Sequence, residues 1–337
     1  VGAGIMLAGN AMQIYKHLGV ADKIIQKGNP FDQMNITKPN LEILSHVDLT
    51  PIIEKQNTPN IAIHRASLHQ ILMEEVGPEN VNVNKRLQHI VSSDQQYLLK
   101  FEDGTMHVAD YLIGADGLNS KVRNLLFKKT TLRDSGQICW RGVTNYQIDN
   151  KLNNKFYEAW GKGKRFGYVV LSKQQIYWYL LIDDTMGTVD SKASDYVDGF
   201  FPLAKKLIEA TDTNAIITAK LFDLKPTSQW DLPRVCLLGD AAHATTPNLG
   251  QGACQAIEDA YVLGKLMEKY TVDYAFKTYP EIRIKKAHSI VHTSWQTGKL
   301  AHLSNPLQIF LRDAIMKLTP EKLMLKRIEK MYALDAV

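Results

Sequence analysis

The run Arg234-Val-Cys-Leu-Leu-Gly-Asp-Ala-Ala-His243, continuing Ala-Thr-Thr-Pro-Asn-Leu-Gly-Gln-Gly-Ala-Cys254, constrains this chain more than any other stretch. Arg234 to Leu238 is a short apolar strand core. It delivers Gly239-Asp240 at its carboxyl end, where α/β folds place ligands. Glycine lets backbone approach a ligand closely, and Asp240 is an acceptor suited to sugar or polyol hydroxyls. The loop Pro247 to Gly252 feeds a helix whose apolar stripe reads as Ala253, Ile257, Ala260, Gly264 and Met267. The start of that helix offers N–H groups and a positive dipole end, which suits a phosphate or an anionic ring edge. A capping aspartate in an ordinary strand–loop–helix explains Asp240 alone equally well, but not the whole run.

Two further segments carry chemistry. Tyr111-Leu-Ile-Gly-Ala-Asp-Gly-Leu-Asn-Ser120, followed by Val122-Arg123, places Asp116-Gly117 after an apolar strand over Val108 to Ile113. Its plainer reading is a turn with Ser120 capping a short helix over 121–127. His64-Arg65-Ala-Ser-Leu68 with Leu72 opens a helix after a strand at Asn60 to His64, and Gly77-Pro78 ends it. A guanidinium at a helix start suits a phosphate or ribose, although a lone arginine there, as Arg65 is, is usually a surface residue. The opening VGAGIMLAG invites a dinucleotide fingerprint through Gly2 and Gly4. That motif requires a preceding strand, a small third residue where Leu7 stands, and an acidic tip on the next strand. The pattern instead predicts one helix over Ala11 to Lys27, ending at Gly28-Asn29-Pro30.

Composition excludes several classes. At 337 residues the chain forms one large or two intimate domains, and 45% hydrophobic residues support a full core. The net charge of +5 is dispersed, which argues against nucleic acid. Cys139, Cys236 and Cys254 are too far apart for a disulfide framework and indicate a reducing, cytoplasmic setting. No Cys or His cluster points to a metal, and no apolar run approaches the roughly 18–20 residues of a membrane span.

GDAAH-x-x-x-P-x-x-G-Q-G, the Asp116-Gly117 segment and the Arg65 helix occur here in order. Together they resemble the class A FAD-dependent monooxygenases, the para-hydroxybenzoate-hydroxylase-like group, nearest the urate hydroxylase and zeaxanthin epoxidase branches. The resemblance covers nearly all of the chain. It implies an α/β fold: an FAD-binding domain of glutathione-reductase-like Rossmann type, an inserted, mostly antiparallel β-sheet substrate domain, and C-terminal helices. The expected boundaries are 1–135 and 226–270 for the FAD-binding parts, 136–225 for the substrate domain and 271–337 for the helices. It also implies that Gly239 and Asp240 hold the ribityl chain. Pro247, Gly250, Gln251, Gly252, Ala253 and Cys254 face the flavin pyrimidine, Arg65 and Leu87 reach the cofactor, and Asp116 and Gly117 serve FAD and NAD(P)H. VGAGIMLAGNAM resembles the segment that in this family lies beside the flavin ring. Members carry a G-x-G-x-x-G unit of roughly 30 residues before it, so upstream sequence bearing that fingerprint is expected in the parent protein.

The implied reaction is hydroxylation or epoxidation. NAD(P)H reduces the flavin, O₂ adds at its C4a carbon, and the distal peroxide oxygen passes to an electron-rich small molecule. No acid–base residue is demanded, so no catalytic residue is named. A flavin dehydrogenase without oxygen transfer and a truncated, non-catalytic flavin-fold protein remain alternatives, separated by O₂ uptake and by flavin colour. From about Ile138 to Ile182 the pattern is strongly β, with strands expected at 156–160, 166–171 and 176–182 and a helix over Asp195 to Ala210. Arg141, Arg165 and Tyr168 are the substrate candidates there, with substrate expected between this aromatic sheet and the Pro247–Gly252 loop. The plainer reading makes the aromatics core. Oligomeric state is not legible.

Overall fold

The computed structural model describes residues 3–93, 96–128 and 130–336; Val1 and Gly2, where the glycine-rich opening begins, lie outside the described residues. Two compact units emerge. One comprises Val1–Leu72, Ser135–Leu221 and Gln296–Ala333; the other comprises Met73–Asp134, Phe222–Trp295 and Leu334–Val337.

The first unit is organised by a seven-stranded sheet. Its strands lie in the order Ile217–Leu224, Leu132–Asn145, Gln175–Asp183, Lys164–Ser172, Lys155–Trp160, Gln33–Thr37 and Ile43–Asp48. Lys155–Trp160 and Gln33–Thr37 run parallel, while the neighbouring registers around them are antiparallel. Cross-strand partners share a face, so the register sorts the aromatics. One face carries Trp140, Trp178, Phe166, Tyr168, Leu180 and Ile182, sealed by Phe201, Ala204 and Leu207. Each large apolar side chain buried there contributes about 1.5–3 kcal/mol. The opposite face carries Gln137, Arg141, Tyr177, Tyr179, Arg165 and Glu158.

Within the described part of the glycine-rich opening, Gly4–Leu7 is strand. Gly4–Leu7 pairs antiparallel with Asn60–His64, Gly4 opposite His64. A Cβ on Gly4 would lie 2.4 Å from the Tyr177 ring, so glycine is what lets that ring pack on the backbone. The single helix expected over 11–27 is two, Gly9–His17 and Ala21–Lys27, because Gly19 turns the chain at φ 76°. The helix expected over 195–210 is likewise shortened to Pro202–Glu209, with only a one-turn 3₁₀ segment at Ala193–Asp195. A proline disfavours helical backbone in the residue before it, and Phe201 is extended at φ −57°, ψ 151°.

In the second unit the strand Val235–Leu237 lies parallel to Leu112–Gly114, with Asp231–Leu232 antiparallel on its other side. Trp230, Val235, Leu237, Val262, Leu263 and Tyr279 centre its core. The continuous buried strand expected over 108–113 is in fact two. Met106–Ala109 closes a hairpin with Tyr97–Phe101, and Leu112–Gly114 joins the parallel pair. Val108 is accordingly 52% exposed. Residues 81–83 are irregular, following the 3₁₀ turn Pro78–Asn80 and leading to Asn84 at φ 60°.

Candidate cofactor and substrate residues

The parallel pairing of Leu112–Gly114 with Val235–Leu237 brings two sequence motifs to one end. Leu237 pairs with Gly114, and the Leu238 amide donates to the Gly114 carbonyl at 2.9 Å. Asp116-Gly117 and Gly239-Asp240 therefore leave adjacent strands at their carboxyl ends, where parallel sheets place ligands. Arg123 ties the two turns together. Its buried guanidinium donates to the Ala241 carbonyl at 2.8 Å and the Leu118 carbonyl at 2.6 Å.

The Asp116 carboxylate is engaged locally. It accepts from the Ser120 hydroxyl at 2.5 Å and from the amides of Lys121 at 2.6 Å and Val122 at 3.1 Å. Ser120 in turn caps the helix Lys121–Leu126 through the Arg123 amide. Gly117 adopts φ 78° between them. Asp116 shapes this turn, while Asp240 is exposed at the end of its strand. Gly239 has φ 60°, and a Cβ there would meet the Ala256 Cβ at 2.9 Å. Only glycine lets the strand end approach the helix Gly252–Lys269 so closely.

That helix has 18 residues, no side-chain N-cap and no acid in its first turn. Gly250 precedes it at φ 63°. Asn248 pins the loop, donating to the Thr246 hydroxyl at 2.9 Å and the Ser294 carbonyl at 2.8 Å. Pro247 is exposed, Gly250, Gly252 and Ala253 are partly so, and Gln251 and Cys254 are buried. An uncapped helix start suits a negatively polarised ligand edge, and an exposed carboxylate beside it suits hydroxyls. This donor and acceptor set fits FAD.

The helix is phased differently from the expected stripe. Its buried residues are Cys254, Gln255, Glu258, Asp259, Val262, Leu263 and Leu266, while Met267 is 40% exposed. Two acids point inward because Arg283, itself wholly buried, meets them. Its Nε lies 2.8 Å from Asp259 and its Nη1 lies 2.6 Å from Glu258. Asp259 also accepts from the Gly239 amide at 3.0 Å and bonds His243 Nε2 at 2.5 Å. Burial alone would raise its pKa, but His243 and Arg283 outweigh that and hold it at about 2. Hydropathy could not find this anchor. The Glu258-Asp259 doublet, flanked by the apolar Ala256-Ile257 and Ala260 to Leu263, was the available signal.

Arg65 is exposed at the start of its helix in the first unit, its amide donating to the Ala3 carbonyl at 2.9 Å. Leu87, in the second unit, begins the strand Leu87–Ser92 and is partly buried.

The substrate candidates divide between the two sheet faces. Tyr168 is 2% exposed within the apolar cluster, stacked on Tyr157. Arg141 and Arg165 lie on the opposite, polar face. Arg165 is 1% exposed and bonded to Glu158 at 3.2 Å. Glu158 also accepts from Trp160 Nε1 at 2.6 Å and from the Tyr179 hydroxyl. Burial and the Glu158 charge raise the Tyr179 pKa well above the phenol range, so it remains a donor. Arg141 stands opposite Tyr179 in register, is partly exposed, and makes no ion pair among the described residues.

Comparison with known proteins identifies the family. Residues 3–294 match the FAD binding domain family. Aurachin C monooxygenase/isomerase of Stigmatella aurantiaca is 32% identical over 324 residues, 94% of this chain and 84% of its own length. The 2-heptyl-3-hydroxy-4(1H)-quinolone synthase of Pseudomonas aeruginosa is 30% identical over 332 residues, 95% of this chain and 85% of its own. Among solved structures, Klebsiella pneumoniae HpxO complexed with FAD and uric acid superposes with a TM-score of 0.89 at 26% identity, covering 98% of this chain and 88% of that one. No helix among the described residues is long and apolar enough to cross a membrane. The chain belongs to the FAD-binding class A monooxygenases, oxidoreductases that take FAD as cofactor and NAD(P)H as co-substrate.

Proposed function

We propose that this enzyme uses O₂ to hydroxylate or epoxidise a small aromatic, heteroaromatic or polyene molecule, and that a nitrogen heteroaromatic fits best. The observation that carries this reading is Arg141, a partly exposed cation with no ion pair among the described residues, set opposite Tyr179 on the polar sheet face. A guanidinium recognises a carbonyl or enolate oxygen on a planar ring by directional donation. The rings of Tyr177 and Tyr179, 6.0 Å apart, give an aromatic flank. A quinolone-forming relative and a neighbour holding uric acid support this substrate class. The setting we infer is cytoplasmic.

Bound FAD, once reduced by NAD(P)H, supplies the oxygen-activating chemistry. Asp240 would hold the ribityl hydroxyls, with Gly239 letting the chain come close. The amides of Gly252, Ala253 and Cys254 would face the pyrimidine edge, with Pro247, Gly250 and Gln251 shaping the approach. Arg65 and Leu87 would contact the rest of the cofactor, and Gly117 would give backbone access in a turn that Asp116 braces. Arg141 would orient the substrate for oxygen transfer. Placement of this kind removes much of such a barrier.

The test measures NAD(P)H oxidation, O₂ uptake, product and hydrogen peroxide together, using a 4-quinolone and urate as substrates. Arg141→Ala should keep consuming NAD(P)H while releasing most of its oxygen as peroxide. Tyr168→Phe, altered on the apolar face, should remain coupled. Tight coupling in Arg141→Ala, or uncoupling only in Tyr168→Phe, would overturn the placement.

A further inference from the structure

We propose that the outward face of the helix Pro306–Leu318 docks this enzyme on an anionic lipid surface. Leu307 is 66% exposed, Phe310 68%, Leu311 50%, Ile315 66% and Leu318 81%. At 3.6 residues per turn these positions share one arc of roughly 140°. Surface helices normally turn polar residues outward, and a contiguous apolar patch marks an interaction site.

The helix is firmly held from its other side. Arg312 is buried, its guanidinium 3.4 Å from the Leu300 and Ala301 carbonyls and bonded to Asp313. Asn305 caps the first turn through the Leu307 and Gln308 amides, and Lys317 pairs with Glu42 near the last. Leu41 and Ile43, which flank that glutamate in sequence, are exposed as well. The outward arc is therefore a fixed feature of a well-anchored helix.

Charge selects the occupant. In this C-terminal region the acids are spent internally: Asp313 on Arg312, Glu321 on the Asp48 amide and Glu329 on Lys55. The next helix, Glu321–Tyr332, presents Lys322, Lys326, Arg327 and Lys330 to solvent, and these make no ion pair among the described residues. An apolar arc accompanied by unpaired cations is the pattern of an interfacial helix, whose apolar side enters the headgroup boundary while lysines meet anionic lipid. A second copy would instead bring two such cationic helices towards each other, which their charge opposes.

The test uses the whole chain with vesicles of pure phosphatidylcholine and of phosphatidylcholine with phosphatidylglycerol, read by co-sedimentation. Binding should favour the anionic vesicles and weaken as salt is raised. Phe310→Ser/Leu311→Ser/Ile315→Ser should weaken it roughly tenfold or more, since three large apolar groups are withdrawn. Lys322→Glu/Lys326→Glu should abolish the preference for anionic vesicles. Circular dichroism checks that each variant folds; if the triple variant does not, Leu318→Ser, at the most exposed position, takes its place. No association with either vesicle, or unchanged binding by the folded variants, would overturn the proposal. So would a concentration-dependent dimer that the same substitutions dissolve. None of these readouts depends on turnover, so they are independent of the proposed reaction.

Discussion

Asp259 and Glu158 are both buried carboxylates, yet they are satisfied in different ways. Asp259 takes the Gly239 amide, the His243 ring and the Arg283 guanidinium, partners 20, 16 and 24 residues away. It holds backbone, so its charge fixes where the strand end stands relative to the helix. Glu158 takes Trp160, Arg165 and Tyr179 from strands of a single sheet. It gathers side chains on one face and leaves the backbone to the sheet ladder. The first centre should therefore govern stability and cofactor placement, and the second the alignment of polar groups near Arg141.

The largest effect should come from removing the cation that serves the first centre. Arg283→Met leaves Glu258 and Asp259 buried without their common partner, a loss of about 3–5 kcal/mol for a broken buried pair. Urea unfolding should show the midpoint falling with little change in slope. A loss below about 1 kcal/mol would mean that Lys286, which bonds Glu258 at 2.7 Å, carries the compensation.

Asp240 tests whether the pinned Gly239 serves a ligand. Asp240→Ala removes an exposed carboxylate and should leave folding almost unchanged. Charge-assisted bonds to hydroxyls contribute about 1.5–3 kcal/mol, so FAD should dissociate roughly ten- to hundred-fold more readily. Fluorescence on dilution reads this directly. An unchanged constant would reduce Asp240 to a helix-terminal residue.

Acid provides a third test. The folded pKa of Asp259 is about 2, below its ordinary 3.8. A depressed carboxylate contributes stability above the unfolded pKa and loses it as pH falls through the folded one. The window is therefore about pH 4 down to 2, and the contribution is about 2 kcal/mol. Asp259→Asn should be less stable at neutral pH and show a flatter acid limb across that window. An acid limb as steep as the parent's would assign acid sensitivity to other carboxylates.

The same contrast explains what could be read from the residues alone. The Gly239-Asp240 strand end and the Gly250–Gly252 helix start were legible because they are local backbone chemistry. The phase of the following helix was not. Two acids face inward only because Arg283 arrives from a later helix, and hydropathy places acids outside. The two sheet faces were legible in principle. Arg165 and Tyr168 are three residues apart in one strand, and alternation sends such residues to opposite faces; grouping them by composition obscured that. Gly19 and Pro202 were visible breakers, but the apolar spacing across them looked continuous.

The smallest effect belongs to the second centre and is the sharpest test of the contrast. Tyr179→Phe removes one of three donors to Glu158, and two remain. The cost should be that of one hydrogen bond, about 0.5–1.5 kcal/mol, well below that of Arg283→Met. Its pH dependence follows from the raised phenol pKa. A group whose folded pKa lies above its unfolded value contributes fully below the unfolded one, near 10 for tyrosine, and loses that contribution only as pH climbs towards the folded value. Between pH 6 and 9 the stability difference between parent and variant should therefore be flat. Coupling of NAD(P)H oxidation to product should fall even though stability barely moves, because the hydroxyl and Arg165 share one carboxylate and shift together when it is released. Denaturant unfolding at several pH values, paired with peroxide measurement, separates the outcomes. A stability loss as large as that of Arg283→Met, with coupling intact, would make Glu158 a structural anchor like Asp259 and erase the distinction between the two centres.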